Sequence, residues 1–270
     1  MPETTDATAL LRQPDQPQTV ALDVFTIRVP IGDPALDDSL WSDVDEQRFP
    51  AAVRKRLAAN GIRAGVVSSQ WPARLQSALK LDEAAAPTAN EPNIEITVSD
   101  FEQQAKVRHR IVNMPSGRRA QLICLGEKAR PAELPLFIRD DEGAVVGRTY
   151  RKACGMLVVR AVPQGDRSIK LELTPEVEHG DPTRRVEPGD GMLRVEFSPA
   201  HDRFDALKMD SNLALGQMLV ITCMDDRPGT LGHHYFTETN ADRVLQKLML
   251  IRLSQSDYDD LFGVAIPSGE

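Results

Sequence analysis

Gly155-Met156-Leu157-Val158-Val159-Arg160-Ala161-Val162 is followed, after a break at Gln164-Gly165-Asp166, by Ser168-Ile169-Lys170-Leu171-Glu172-Leu173. The first run is almost continuously apolar and rich in valine. The second alternates apolar and polar residues. Each is too short for an ordinary helix and ends at a turn, so the pair reads as two strands. Working outward, Val107–Val112, Ser116-Gly117 and Ala120–Cys124 predict a hairpin, and Leu134–Ile138, Met192–Phe197 and Gln217–Cys223 predict further strands. Asp141-Glu142-Gly143 and Pro188-Gly189-Asp190-Gly191 supply turns between them, and Ile94-Glu95-Ile96-Thr97-Val98 alternates strictly. Leu245, Leu248 and Met249 also fit one helical face, but Val244–Leu253 is read here as a strand. The spacing predicts a mostly antiparallel β domain over residues 94–255.

The chain before it has a different texture. Residues 1–18 are polar and read as a disordered tail. Val20–Val29 is a strand with a phase change at Val24-Phe25, which suggests a bulge. Leu40, Trp41 and Val44 give an acidic stretch one apolar helical face. A helix is expected from Pro50 to Asn60, with Val53 and Leu57 one turn apart and Asn60-Gly61 as its stop. A strand at Ile62–Ser68 and a short helix at Trp71–Leu81 complete a small α+β lobe, residues 19–81. Residues 82–93 (DEAAAPTANEPN) read as a linker and residues 256–270 as a fraying tail. The fold class expected is therefore α+β, a small N-terminal α+β lobe followed by the β domain.

Aromatic residues make up 5% of the chain, so leucine, valine and isoleucine must fill the core. The net charge of −8 opposes a phosphate backbone, which argues against nucleic acid as a partner. The longest apolar runs, such as Met218–Ile221, fall far short of the roughly 20 residues of a transmembrane helix. Met1–Gln18 lacks the basic start and apolar stretch of a signal peptide. Three widely spaced cysteines, Cys124, Cys154 and Cys223, read as buried free thiols.

The common signatures of nucleotide-binding, hydrolytic and zinc enzymes are missing. The acids of Asp37–Glu46 could ligate calcium, but they lack the glycine and final glutamate of an EF-hand loop and read as a solvated helix face. His233-His234, with Glu238 as the one acid at ligand spacing, could offer metal ligands or a general base. Adjacent strand residues point to opposite faces, so the segment Pro228–His234 reads as a structural turn. Asp225-Asp226-Arg227 reads as a loop with a local ion pair, Asp140–Gly143 as a plain turn, and Glu187–Gly191 as a hairpin loop whose acids oppose an anion. No catalytic, cofactor-binding or metal residue is assigned, and the chain is read as non-enzymatic, with His234 the first residue to test were it an enzyme.

Four segments, in order, resemble motifs of the bacterial secretin β-domain, the family of type II and III secretion channels. They are Asn113–Gly126, Gly147–Pro163, Ser168–Val177 (similar to I-x-L-x-I-x-P-E-V) and Leu215–Ile221 (similar to a G-Q-T-L-V-I strand). Leu40–Glu46 (LWxxxDE) and Asn60–Gly65 (NGxRxG) also resemble stretches of secretin-related planctomycete proteins. The resemblance implies a β fold, self-association or protein partners, and a periplasmic or outer-envelope setting, with the cytoplasm as the alternative for a chain without an export signal. It does not imply a complete channel, because Glu127–Val146 leaves too little chain for wall hairpins and a gate. A soluble β-sandwich that binds a small molecule or glycan is the other reading.

Overall fold

Alternation and β-branching put Thr19–Pro30 (β1) in the extended state, and this strand lies inside the larger of two sheets. The structure is a computed structural model that describes residues 19–36, 38–68, 107–126, 129–140, 142–164, 166, 168–189, 192–240 and 243–257. After β1 come α1 (Asp38–Trp41), α2 (Ala51–Ala59), β2 (Ile62–Val67), β3 (Val107–Pro115), β4 (Arg119–Leu125), β5 (Glu133–Arg139) and β6 (Val145–Arg151). The chain continues with β7 (Cys154–Pro163), β8 (Ile169–Gly189), β9 (Met192–Arg203), β10 (Met209–Leu213) and β11 (Met218–Cys223). It closes with α3 (Leu231–Phe236), β12 (Thr237–Asn240) and β13 (Arg243–Asp257).

The first sheet has the order β2-β11-β13-β1-β3, with β12 beside the start of β13. The second is β10-β8-β7-β4, with β9 on β8, and β5-β6 form a separate hairpin. All these strand pairings are antiparallel. The fold is thus mostly antiparallel β with few helices, as the sequence leads one to expect.

The two sheets share one core. Leu22, Val24 and Ile251 of the first meet a cluster that includes Leu157, Val159, Leu171 and Leu173 of the second. Each such side chain, fully buried, contributes about 1.5–3 kcal/mol. The other face of the first sheet carries Ile27, Val29, Val220 and Leu250, packed with Leu40, Trp41 and Val44. This explains the phase change in β1: its two halves are buried on opposite faces. The expected bulge is elsewhere, in β13, where Ala21 faces Gln255, Leu22 faces Leu253 and Ser254 is the extra residue.

Three expectations change. The helix and strands expected before residue 68 exist, but they are built into the common sheet, since β1 lies between β13 and β3 and β2 pairs with β11. Residues 19–68 are therefore not a lobe apart. The hairpin expected over Val107–Cys124 also does not form. β3 pairs with β1 and β4 with β7, so the turn at Ser116-Gly117 carries the chain from one sheet to the other. That turn is held by β7, whose Ala161 carbonyl accepts from Gly117 N at 2.8 Å and whose Arg160 Nε donates to the Gly117 carbonyl at 2.9 Å. Lastly, His233-His234 lie on the helix α3. The strand expected at 94–98, the helix at 71–81, the linker and both tails lie outside the described residues.

The two short stretches LWxxxDE and NGxRxG pack on each other. Asp45 N donates to the Val66 carbonyl at 2.9 Å, and Val66 N returns a bond to Asp45 at 3.0 Å. Arg63 Nε donates to Glu46 Oε1 at 2.7 Å, and its guanidinium lies 4.3 Å over the Trp41 ring. Asn60 ends α2, and Gly61 follows at φ +74°, where a side chain would be strained. The carbonyl of Asn60 accepts from Gly232 N at 2.9 Å, so α3 sits directly on this junction. A Cβ at Gly232 would lie 2.0 Å from the Gly61 carbonyl oxygen. Gly232→Ala is expected to cost about 3 kcal/mol or more, because backbone on both sides must move. A thermal melt should fall by about 6 °C or more; a shift below about 2 °C would refute this packing.

Candidate interaction surface

β8 outlasts its sheet. It pairs with β7 over Ile169–Glu178 and with β10 over Ile169–Leu173, then continues with β9 alone. After the His179–Ala200 row, Gly180, Asp181 and Pro182 stand against the single residue Pro199, and pairing resumes at Thr183–Ser198. This bulge marks the base of a two-stranded arm, Thr183–Gly189 with Met192–Ser198. Among the described residues no third strand joins the arm. Its register pairs Arg184 with Phe197, Val186 with Val195 and Pro188 with Leu193. The alternate rows are Arg185 with Glu196 and Glu187 with Arg194. Phe197 is 70% exposed.

The base is gripped by polar side chains from the β5-β6 hairpin. Tyr150 Oη and Arg148 Nη1 both donate to Asp202 Oδ2, at 2.8 and 2.7 Å. His179 Nε2 lies 3.7 Å from the other Asp202 oxygen, and the rings of Tyr150 and His179 meet at 4.9 Å. On the next row His201 Nε2 is 3.7 Å and Arg130 Nη2 is 2.5 Å from Glu178. Lys152 pairs with Asp181 in the bulge. Burial pushes the Asp202 carboxyl up, but the Tyr150 hydroxyl, Arg148 and the nearby His179 outweigh it and hold the group below 3.8. Burial and the Asp202 charge push the Tyr150 hydroxyl up to about 12.

The residues singled out in the sequence are placed as follows. Asp45 Oδ1 accepts from Gln47 N at 2.9 Å and Glu46 pairs with Arg63, so the end of the acidic run is used to fix the chain. Asp140 Oδ1 accepts from Glu142 N and Ala144 N, a plain turn as expected. Arg227 Nε lies 3.4 Å from Asp226, the expected local pair. β8 runs into β9 with Gly189 opposite Met192, consistent with the hairpin loop. The three cysteines are buried thiols outside any disulfide, and burial pushes Cys124 and Cys223 up to about 11, the opposite of a reactive thiolate.

His233 and His234 sit on α3, whose Thr230 cap accepts from His233 N at 3.5 Å. His234 Nε2 is 3.0 Å from the Pro135 carbonyl. Burial lowers both imidazoles below their usual value, and in His234 the neighbouring His233 adds to this. Glu238 is engaged by Arg28 Nε at 3.2 Å. Among the described residues no three His, Cys, Asp or Glu side chains gather to hold a metal, and no helix is long and apolar enough to cross a membrane.

No protein-family model, no curated protein and no solved structure matches the chain. Of the arm, the sequence reading gave the strand Met192–Phe197 and the hairpin loop Glu187–Gly191 but missed the other strand, where Arg184-Arg185-Val186-Glu187 lacks strict alternation.

Because the Asp202 carboxyl is held below its ordinary value, its anchorage is complete above that value and is lost as acid protonates it. Asp202→Asn should cost about 1 kcal/mol at neutral pH. The gap between wild type and variant should narrow as pH falls below the ordinary aspartate value, read from denaturant melts across pH. A gap that stays constant into acid would contradict this account.

Proposed function

We propose that the chain is a non-enzymatic structural protein that assembles with further copies of itself, the role implied by its secretin resemblance. The periplasm or outer envelope is the setting that the resemblance suggests. The observation that carries the proposal is the arm. A two-stranded ribbon is marginal in water on its own, and this one leaves Phe197 largely exposed. A second copy would supply the missing surface. Edge strands such as β3 and β4, each paired on one side only among the described residues, offer places for strand addition.

A second reading, a β-sandwich that binds a small ligand, is favoured by a cleft between the sheets beside α3. The two readings use different parts of the molecule. They are separable by shortening the arm: Arg184–Phe197 replaced by Asn-Gly leaves the Thr183–Ser198 row to close on a two-residue turn. Light scattering after size exclusion should give a discrete oligomer for the wild type and a monomer for the shortened chain. A monomeric wild type, or an oligomer that survives the deletion, would remove the arm from assembly.

A further inference from the structure

Along the inner face of the first sheet, β13 runs Leu253, Ile251, Met249 and then Lys247. Strand alternation turns every second residue to that face, so an amine continues a row of core side chains. Its backbone is fixed from both sides. Arg28 of β1 stands opposite it, and the Lys247 carbonyl accepts from Thr222 Oγ1 of β11 at 2.8 Å. The side chain reaches across to the second sheet, where Nζ donates to the Cys124 carbonyl of β4 at 2.6 Å. That carbonyl is its one hydrogen-bond partner among the described residues, whereas an ammonium carries three donors.

Burial disfavours the charged form of an amine, and it lowers the Lys247 ammonium below its ordinary value. Arg28 adds to the effect, and Glu238 opposes it without reversing it. The thiols of Cys124 and Cys223 would also oppose it as thiolates, but burial pushes both up to about 11, so they stay neutral at neutral pH. A lysine whose charge is disfavoured by burial is an activated nucleophile toward carbonyl carbon. This amine is not sealed in the core. It lines the cleft beside α3, an open cavity of about 540 Å³ whose walls include the apolar Ile123, Leu125 and Phe236.

We propose that Lys247 is a covalent attachment site for a small apolar aldehyde or ketone that enters this cleft. This names the ligand class for the ligand-binding reading and rests on it; assembly through the arm is not required. The neutral amine attacks the carbonyl carbon and gives a carbinolamine. The carbon–oxygen bond then breaks, the oxygen leaves as water with the two amine protons, and an imine remains. No oxidant or reductant enters the step.

The test treats the full chain at neutral pH with benzaldehyde and cyanoborohydride, which traps the imine as a secondary amine, and follows each lysine by peptide mass spectrometry. Lys247 should be labelled about tenfold faster than the exposed Lys55 and Lys170, and the preference should vanish in denaturant. Lys247→Arg, with folding checked by circular dichroism, should lose the first adduct in the intact mass. If that variant does not fold, the comparison of lysines within the wild type carries the test. Labelling of Lys247 no faster than of Lys55, or a preference that persists in denaturant, would overturn the attachment site. Calorimetry with benzyl alcohol, which keeps the ring and has no carbonyl, then separates the two failures. Binding once per chain would leave the ligand-binding reading standing without the covalent step, and no binding would remove both.

Discussion

Asn60 has no exposed surface, and its amide is fully bonded: Nδ2 donates to the carbonyls of Arg56 and Arg139, and Oδ1 accepts from Arg139 N at 2.8 Å. Its own carbonyl takes Gly232 N, and the next carbonyl, of Gly61, takes Met224 N at 2.9 Å. One dipeptide thus joins α2, β5, α3 and the end of β11. A buried amide left without partners costs about 1–3 kcal/mol, so none of these elements can shift alone without exposing that penalty. The consequence runs to the far sheet. Once α3 is seated, Tyr235 is fully buried and its hydroxyl donates to the Glu176 carbonyl of β8 at 2.5 Å. The row at which β8 leaves its sheet is therefore tied, through α3, to the stop of a helix more than a hundred residues earlier.

Local pattern made several of these elements readable in advance. Short apolar runs bounded by turn signals identified β7 and β11, alternation identified the first half of β8, and the Pro50 and Asn60-Gly61 punctuation bounded α2 within a residue. What local pattern cannot carry is partner choice. Val107–Val112 and Ala120–Cys124 look like a hairpin because nothing within them reports that β1 and β7 compete for their edges. Similarly, two strands and a helix before residue 68 look like a lobe until β2 finds β11. Pro228–His234 reads as a turn in the sequence, while Thr230 caps a short helix there and Gly232 allows it to lie against backbone. The meeting of Arg28, Arg108 and Lys247 was invisible for the same reason. Arg28, Arg108 and Lys247 are far apart in sequence, and only the register of three strands brings them to one level.

The arm and the cleft illustrate two uses of an antiparallel framework. In the arm, a strand is prolonged past its sheet and paired with a single neighbour, which trades stability for reach. In the cleft, strands keep their pairing and the inner face alone changes chemistry, so a polar site is held by the same ladder that holds the core. The polar grip of Tyr150 and Arg148 on Asp202 fixes the direction in which the arm leaves the body, by way of the hairpin β5-β6.

The position of β1 also bears on how the protein is made. Val24 pairs with Ile251 on one side and Arg110 on the other, so a central strand near the start of the chain depends on one near its end. At about 5–20 residues per second, a ribosome leaves β1 without its β13 edge for about 10–50 s after it emerges. During that interval an apolar strand faces the cytosol half-paired, which favours capture by a chaperone and makes the nascent chain, rather than the finished protein, the stage most prone to aggregation.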